Sequence, residues 1–186
     1  MKVGILAAGL SKRMGSVNKL LLKINNKTIL EHSVINALSY TNDVVVVTGF
    51  EREKSEEILK NYPVSIIYNS NYTLGQESSL RCLLNHTNCD ILVTLADIPF
   101  LSKDDFLKAE SNLKNVLSAR PFFDNTAGHP VALKKELVDL ILASNKRVRD
   151  VIKEYSNSFY PGRKENIVDI DTPNSFMDIE NLIKLR

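Results

Sequence analysis

The sequence predicts an α/β fold, a Rossmann-like three-layer α/β/α arrangement with a mostly parallel central sheet. Short apolar strands alternate with amphipathic helices along the whole chain, which is typical of parallel sheets with helices on both faces. The valines at 44–47 form the continuous apolar run of a strand that is covered on both sides. With 186 residues, of which 44% are hydrophobic and 25% charged, the chain is expected to form one domain, 1–186, around one core.

The predicted elements follow one another with short connections. Thr28 is predicted to begin a helix that ends near Tyr40, because Glu31 completes a capping box. Ser102 is predicted to begin another helix, with Asp104 and Asp105 in its first turn. The other predictions are strands at 3–8, 43–49, 64–68, 90–95, 116–120 and 167–170, helices at 52–61, 78–85, 134–143 and 146–155, an extended segment at 20–24, a loop at 69–79 and a C-terminal helix opened by Thr172-Pro173.

Charge and cysteine content narrow the class of protein. A net charge of +2 is too small for a general nucleic-acid or membrane surface, so neither partner is expected. Cys82 and Cys89 lie seven residues apart without a histidine at ligand spacing, so we expect reduced thiols and no zinc site. The chain enters a strand almost at once and has no apolar run of membrane length, which predicts a cytoplasmic protein without a signal peptide.

The stretch at residues 6–15, LAAGLSKRMG, is the most informative part of the chain. Its small residues allow a backbone to approach a ligand closely, and Lys12, Arg13 and Lys19 supply three cations. A strand that ends in such a loop is suited to an anion, held by backbone N–H groups and neutralised by the cations. We therefore expect a polyphosphate here, although neither the Walker A nor the G-x-G-x-x-G spacing is present.

Two other predicted loops follow strands and are expected at the same edge of the sheet. The loop at 69–79 follows one strand, and Ala96-Asp97 follows another. Because ligands of open α/β sheets lie at the carboxyl ends of the strands, these loops should share one site with residues 6–19.

Five segments, in order, resemble the MobA-like nucleotidyltransferase superfamily and especially its molybdenum cofactor cytidylyltransferase branch. They are residues 6–15 with Lys19, residues 75–81 (GQESSLR), residues 96–99 (ADIP), residues 128–130 (GHP) and residues 169–173 (DIDTP). The resemblance implies a nucleotidyltransferase fold and a reaction in which an acceptor phosphate attacks the α-phosphorus of a nucleoside triphosphate and expels pyrophosphate. Such a reaction depends on positive charge and in-line positioning.

The resemblance also implies roles for individual residues. Arg13 would hold the outgoing β- and γ-phosphates, Lys19 would stabilise charge on the α-phosphate, and Asp97 with Asp169 or Asp171 would hold Mg²⁺. Arg13, Lys19 and Asp97 are therefore the expected catalytic residues. The expected nucleotide-binding residues are Leu6, Ala7, Ala8, Gly9, Ser11, Arg13, Lys19, Asn69, Gly75, Ser78, Ser79 and Leu80.

The choice of base and acceptor rests on fewer residues. In the resembled family, Ala8 and the segment Ser78-Ser79-Leu80 go with CTP, whereas a glycine in place of Ala8 goes with GTP. Glu77 departs from the pattern, since a carboxylate there would repel a triphosphate unless it points away. His129 is expected to contact the acceptor, which the resemblance identifies as molybdopterin, and Phe122 and Phe123 nearby favour a flat ring.

Other interpretations of these residues remain open at this point. Arg13 and Lys19 could be solvated cations, Asp97 a cap and His129 a structural loop residue. Ser78 and Ser79 could be the N-caps of their helix. The alternative functions are cytidylyl, uridylyl or guanylyl transfer to a sugar, polyol or isoprenoid-precursor phosphate, GTP-dependent transfer to molybdopterin, and nucleotide binding in a regulatory module without turnover. Molybdoenzymes and other proteins of the cofactor pathway are candidate partners.

Overall fold

The computed structural model describes residues 1–14, 17–155, 157–170 and 176. The strands in these ranges are β1 (Lys2–Ala7), β2 (Lys23–Ile24), β3 (Lys27–Thr28), β4 (Val44–Thr48), β5 (Ser65–Tyr68), β6 (Ile91–Leu95), β7 (Ser118–Phe123), β8 (Thr126–Ala127), β9 (Val131–Leu133) and β10 (Asn157–Pro161). The α-helices are α1 (Ile29–Tyr40), α2 (Arg52–Leu59), α3 (Gln76–Thr87), α4 (Lys103–Ser111), α5 (Lys135–Ala143) and α6 (Val148–Glu154). Single 3₁₀ turns lie at Lys12–Met14, Lys19–Leu21, Tyr72–Leu74 and Lys164–Asn166.

The central sheet is mostly parallel, as predicted. Its strand order is β10-β7-β9-β6-β1-β4-β5, with β8 paired to β7, and β2 and β3 form a separate hairpin. β1 lies between β4 and β6 and is parallel to both. β9 runs antiparallel to its neighbours β6 and β7, so those two strands point in the same direction. The carboxyl ends of β1, β6 and β7 therefore lie at one edge of the sheet.

Helices cover both faces of the sheet, which confirms the three-layer arrangement. Val3 and Ile5 of β1 face one buried cluster, which includes apolar side chains of α1 and α4. Leu6 faces a second cluster, formed with side chains of α3, α5 and α6. This alternation follows from the two-residue period of a strand, and it explains why the central strands β1, β4 and β6 are apolar at almost every position.

The predicted helix starts at Thr28 and Ser102 are confirmed. The Thr28 hydroxyl accepts the backbone N–H of Glu31 at 3.2 Å, and the Glu31 carboxylate accepts the backbone N–H of Thr28 at 2.7 Å. At the other start, the Asp105 carboxylate accepts the backbone N–H of Ser102 at 2.7 Å. Asp105 is also bound by Arg163, so this buried carboxylate joins α4 to the end of the described chain.

The predicted strand at 167–170 is wrong, and a strand that the sequence analysis missed, β10, pairs with β7 instead. Residues 167–170 form no ladder because Ile170 donates its backbone N–H to the carbonyl of Asp97 at 3.0 Å and buries its side chain in the first cluster. Their apolar pattern thus reflects burial and not strand pairing.

Smaller corrections concern the segments around the predicted loops. Residues 19–21 form a 3₁₀ turn capped by Asn18 and are not extended. The predicted loop at 69–79 contains a 3₁₀ turn and the start of α3, whose N-cap is Gly75. The predicted helix after Pro173 lies outside the described residues. No helix in the described ranges is both long and apolar enough to cross a membrane, and Cys82 and Cys89 are free thiols.

Candidate active site

A cavity of about 400 Å³ lies at the carboxyl ends of β1 and β6. Its walls bring together the three predicted loops, and they are formed by Leu6, Ala8, Gly9, Leu10, Ser11, Lys12, Arg13, Lys19, Leu20, Tyr72, Thr73, Gly75, Gln76, Ser79, Leu95 and Asp97. Of the predicted nucleotide-binding residues, Ala7, Asn69, Ser78 and Leu80 do not line this cavity. We refer to it as the loop cavity.

The loop after β1 folds tightly and is held from two sides. Ser11 has a φ of 50°, in the left-handed region, and its carbonyl accepts the backbone N–H of Met14 at 2.8 Å. The Ser11 hydroxyl accepts the backbone N–H of Lys19 at 3.2 Å, which ties the two cationic parts of the loop together. A Cβ on Gly9 would meet no atom within 4 Å, so the space above its backbone is open. A ligand can therefore lie directly against the backbone at Gly9.

Lys19 and Asp97 form an ion pair at the base of the loop cavity. Lys19 Nζ lies 2.5 Å from Asp97 Oδ2, and their side chains are only 11% and 16% exposed. The second carboxylate oxygen, Asp97 Oδ1, is buried and makes no hydrogen bond with the described residues. The backbone beside it is fixed, because Ala96 donates to the carbonyl of Leu6 at 3.0 Å. The site therefore combines a buried cation with a carboxylate oxygen that can bind a cation or accept a hydrogen bond.

The two late acidic residues differ in what the structure shows of them. Ile170, which donates to the Asp97 carbonyl, places the neighbouring Asp169 on the segment that runs beside Asp97. Asp169 itself does not line the loop cavity. Asp171 lies outside the described residues, so the predicted metal role of this residue stays a prediction.

Asn69 organises the first turn of α3. Its buried side-chain amide donates to the hydroxyls of Ser78 and Ser79 at 2.9 and 3.0 Å, and its carbonyl oxygen accepts the backbone N–H of Asn71 at 3.0 Å. Ser78 and Ser79 lie inside the helix, so the alternative that they are its N-caps is wrong. The Ser78 hydroxyl is 2.8 Å from the carbonyl oxygens of both Asn71 and Gly75, whereas Ser79 lines the cavity.

Glu77 points away from the loop after β1. Its carboxylate accepts the backbone N–H of Val148, the first residue of α6, at 3.2 Å and lies 3.4 Å from Arg81 Nε. The carboxylate is thus directed toward α6, and the repulsion that a triphosphate would experience from it is relieved.

A second cavity of about 280 Å³ contains His129 and Leu80, and we call it the side cavity. The His129 ring lies with Nδ1 3.3 Å from the carbonyl oxygen of Val93. Asn166 donates its side-chain amide to the carbonyl of His129 at 2.8 Å. Phe122 and Phe123 are exposed and do not line this cavity, so the expectation that they flank the same pocket as His129 is wrong.

Burial, and to a smaller extent the positive charge of Arg120, lower the pKa of His129 to about 4. In the unfolded chain the histidine should titrate near its ordinary pKa of about 6.5. The unfolded state therefore binds more protons between these values, and the free energy of unfolding should fall as pH falls from about 6.5 toward 4, by about 3 kcal/mol at full effect.

This prediction is checked by urea unfolding of the wild-type protein and the His129→Gln variant at pH 7 and pH 4.5. Between these pH values the variant should lose about 2 kcal/mol less than the wild-type protein, because the titrating ring is gone. The other charged residues of the side cavity, which are Glu77, Arg120 and Arg149, are the same in the wild-type protein and in His129→Gln. His86→Gln is the matched control, because His86 is exposed near the end of α3, and this variant should lose as much stability as the wild-type protein. Equal losses in wild type and His129→Gln would contradict the prediction.

Sequence reasoning missed several residues that line the two cavities. Tyr72 and Gln76 contribute to the loop cavity, and Arg120 to the side cavity. Tyr72 and Gln76 both lie in the predicted loop at 69–79, so their position near the site could have been predicted. Arg120 is the last residue of a predicted strand and precedes a proline, and it belongs to none of the motifs identified in the sequence.

The fold and the two cavities define an α/β protein with a cationic loop and a buried carboxylate at the carboxyl edge of its sheet. Residues 3–158 match the MobA-like NTP transferase domain, and the chain belongs to this family. It is 32% identical over 180 residues to the molybdenum cofactor cytidylyltransferase of Escherichia coli K12, an alignment that covers 93% of this chain and 92% of that protein.

Solved structures show the same fold. A nucleotidyl transferase from Methanothermobacter superposes with a TM-score of 0.85 at 20% identity, covering 100% of this chain and 98% of that one. Molybdopterin-guanine dinucleotide biosynthesis protein A from Archaeoglobus fulgidus superposes with a TM-score of 0.77 at 17% identity, with complete coverage of both chains. The protein is a nucleotidyltransferase, and its family acts on nucleoside triphosphates and small-molecule acceptors.

Nucleotidyltransferases of this family usually use a divalent metal ion, and the residues at the base of the loop cavity fit one. Asp97 Oδ1 is a buried oxygen that lacks a hydrogen-bond partner in the described part of the chain. The same ranges contain no group of three or more His, Cys, Asp or Glu side chains that would hold a metal alone. A hard ion such as Mg²⁺ suits this arrangement, since it is commonly held by one or two carboxylates together with substrate phosphates and water.

Proposed function

We propose that this protein transfers CMP from CTP to molybdopterin with release of pyrophosphate. The observation that carries the proposal is the ion pair between Lys19 of the cationic loop and Asp97. The second oxygen of this carboxylate, Oδ1, accepts no hydrogen bond from the described residues. The 32% identity to a molybdenum cofactor cytidylyltransferase over nearly the full length of both chains supports this choice of nucleotide and acceptor.

In this mechanism the loop after β1 holds the triphosphate. Backbone groups around Gly9 approach the phosphate oxygens, and Arg13 binds the β- and γ-phosphates with its planar guanidinium. Lys19 lies deeper and neutralises charge on the α-phosphate. An oxygen of the acceptor phosphate attacks the α-phosphorus, the bond to the β-phosphate oxygen breaks, and the electron pair leaves with pyrophosphate. Since both the attacking and the leaving groups are anionic, the two cations lower the barrier mainly by electrostatic stabilisation.

Asp97 is the residue that would hold the divalent ion, with Asp169 or Asp171 as the second carboxylate. The bound ion would supply further charge neutralisation at the phosphates. Lys19 keeps the Asp97 side chain in place through the 2.5 Å contact. The low exposure of both side chains lowers the local dielectric constant and strengthens their electrostatic interactions.

The preference for CTP is supported by the sequence relationship. Ala8 and Ser79 line the loop cavity, and the relative that is 32% identical is a cytidylyltransferase. In the resembled family a glycine in place of Ala8 goes with GTP, so Ala8→Gly is expected to shift the preference toward a purine.

The proposal is tested by measuring pyrophosphate release with each of the four nucleoside triphosphates, Mg²⁺ and a panel of acceptors that includes molybdopterin and sugar phosphates. We expect turnover with CTP and molybdopterin, and a kcat/KM for CTP at least about tenfold above that for GTP, a ratio within reach of one or two small contacts. Ala8→Gly should reduce this ratio. Faster turnover with GTP, or turnover only with a sugar, polyol or isoprenoid-precursor phosphate, would contradict the proposal.

A further inference from the structure

The side cavity lies beside the loop cavity on one face of the sheet. Its floor comes from β6, β7 and β9, and its walls come from α3 and α6. Leu6, Gln76 and Leu95 line both cavities, so the two spaces adjoin. Most of the remaining side-cavity lining is apolar, from Leu80, Val93, Val131, Leu133, Val148 and Ile152. A flat ring system can therefore be sandwiched there while a substituent reaches Lys19 and Asp97.

Arg120 brings a fixed cation into this apolar space. Its Nε and Nη2 donate to the carbonyl of Gly128 at 3.3 and 3.0 Å, and Nη2 also donates to the carbonyl of Ala127 at 3.1 Å. These bonds fix the plane of the guanidinium. Its Nη1 makes no hydrogen bond, and its charge no ion pair, with any residue in the described part of the chain. Two N–H donors are thus available to a ligand.

The other charged residues of the side cavity do not neutralise Arg120. Glu77 is held by the backbone N–H of Val148 and by Arg81. Arg149 lies at the exposed side of the cavity, where its Nε is 3.6 Å from Asp150 Oδ1. Arg120 is therefore a half-buried cation of this cavity with an unused donor edge, whereas Arg149 is exposed to solvent.

His129 supplies an acceptor next to this donor. A carbonyl oxygen can only accept, so the 3.3 Å contact between Nδ1 and the Val93 oxygen places the ring proton on Nδ1. The other ring nitrogen, Nε2, then carries a lone pair. The low pKa of His129 keeps the ring neutral near pH 7. His129 and Arg120 line the same cavity.

We propose that Arg120 and His129 read the lactam edge of the acceptor's heterocycle. Arg120 Nη1 donates to the ring carbonyl oxygen, and His129 Nε2 accepts from the adjacent ring N–H. The apolar side chains contact the two faces of the ring. This inference deepens the proposed function and rests on it, because it assigns the ring of a pterin-type acceptor to the side cavity and its phosphate to the loop cavity.

The test compares two ligands of nearly identical shape, 6-hydroxymethylpterin and 6-hydroxymethyl-2,4-diaminopteridine. The second carries an amino group in place of the ring carbonyl and an unprotonated nitrogen in place of the ring N–H, so its donor and acceptor pattern is reversed at this edge. Binding to the wild-type protein is followed by calorimetry and by ligand fluorescence. We expect the pterin to bind about 30-fold more tightly, as is usual for a site built to pair with a polar edge.

Arg120→Met should weaken pterin binding by about 30-fold and remove the discrimination, because the paired donor is lost. Arg120→Lys should give an intermediate loss, since it keeps the charge without the fixed plane. Arg52→Met is the matched control, since Arg52 lies outside both cavities, and it should leave the preference unchanged. CTP affinity is measured for every variant and should remain that of the wild-type protein, which also shows that each variant is folded.

Equal binding of the two ligands by the wild-type protein would overturn the inference, and so would full discrimination by Arg120→Met. If Arg120→Met fails to fold, the ligand comparison on the wild-type protein and on Arg120→Lys still decides. Pyrophosphate release from CTP and molybdopterin tests the proposed function separately. Turnover without discrimination refutes the ring contacts alone, whereas discrimination without turnover refutes the proposed function and supports a pterin site.

Discussion

Replacing Asp97 by Asn should lower kcat/KM for pyrophosphate release by about a thousandfold, the equivalent of roughly 4 kcal/mol of transition-state stabilisation. The amide keeps the shape of the carboxylate but removes its charge, so both the pairing with Lys19 and the capacity of Oδ1 to bind a cation are lost. The measurement is steady-state pyrophosphate release at saturating Mg²⁺. Circular dichroism and CTP binding report on whether the variant keeps its fold.

Asp104→Asn is the matched control for this experiment. Asp104 is exposed in the first turn of α4, away from both cavities, and its replacement should leave the rate within about twofold of wild type, as expected for a surface position. The assignment of Asp97 fails if the folded Asp97→Asn variant retains a tenth or more of the wild-type activity.

Arg13→Ala is expected to have an effect of similar size, a fall in kcat of about a thousandfold. Arginines that stabilise transferring phosphoryl groups contribute about 10³–10⁵ in rate. Arg13→Lys should recover part of the rate, because the ammonium keeps the charge but cannot bind phosphate oxygens bidentately. Single-turnover experiments with labelled CTP separate the chemical step from nucleotide binding.

Arg52 offers a control of the same residue type. It lies on α2 over the ring of Tyr68, outside both cavities, so Arg52→Ala should keep wild-type kinetics. A change confined to KM in Arg13→Ala, with kcat intact, would mean that Arg13 binds the substrate and the transition state equally and is not catalytic.

The layers and most elements of the fold were predictable because each depends on local patterns. Thr28 and Glu31 cap α1 through a bond between neighbours in sequence, and the valines of β4 are apolar because helices cover both faces. The strand β10 was missed since its residues, NSFYP, are half polar and end in proline. The segment at 167–170 has a stronger strand pattern, but its apolar residues pack beside the loop of Asp97 instead.

The candidate site was predictable one residue at a time but not as a set of contacts. Lys19 and Asp97 were both identified from their motifs, yet they are 78 residues apart, and no pattern in the sequence indicates that they pair directly. Glu77 was expected to repel a triphosphate, because the sequence does not show that its carboxylate accepts the backbone N–H of Val148 in α6. Arg120 could not be found because its donors are fixed by carbonyls of the following turn, an arrangement that exists only once β7, β8 and β9 have formed.

The reversed direction of β9 has a consequence for how this enzyme can change its specificity. β9 joins one parallel block, β6-β1-β4-β5, to another, β7-β10, and the loop after β1 belongs entirely to the first block. Insertions or substitutions in the second block can reshape the surroundings of an incoming second substrate without shifting the register of β1. The proposed acceptor contacts in the second block can thus vary while the loop after β1 keeps its conformation.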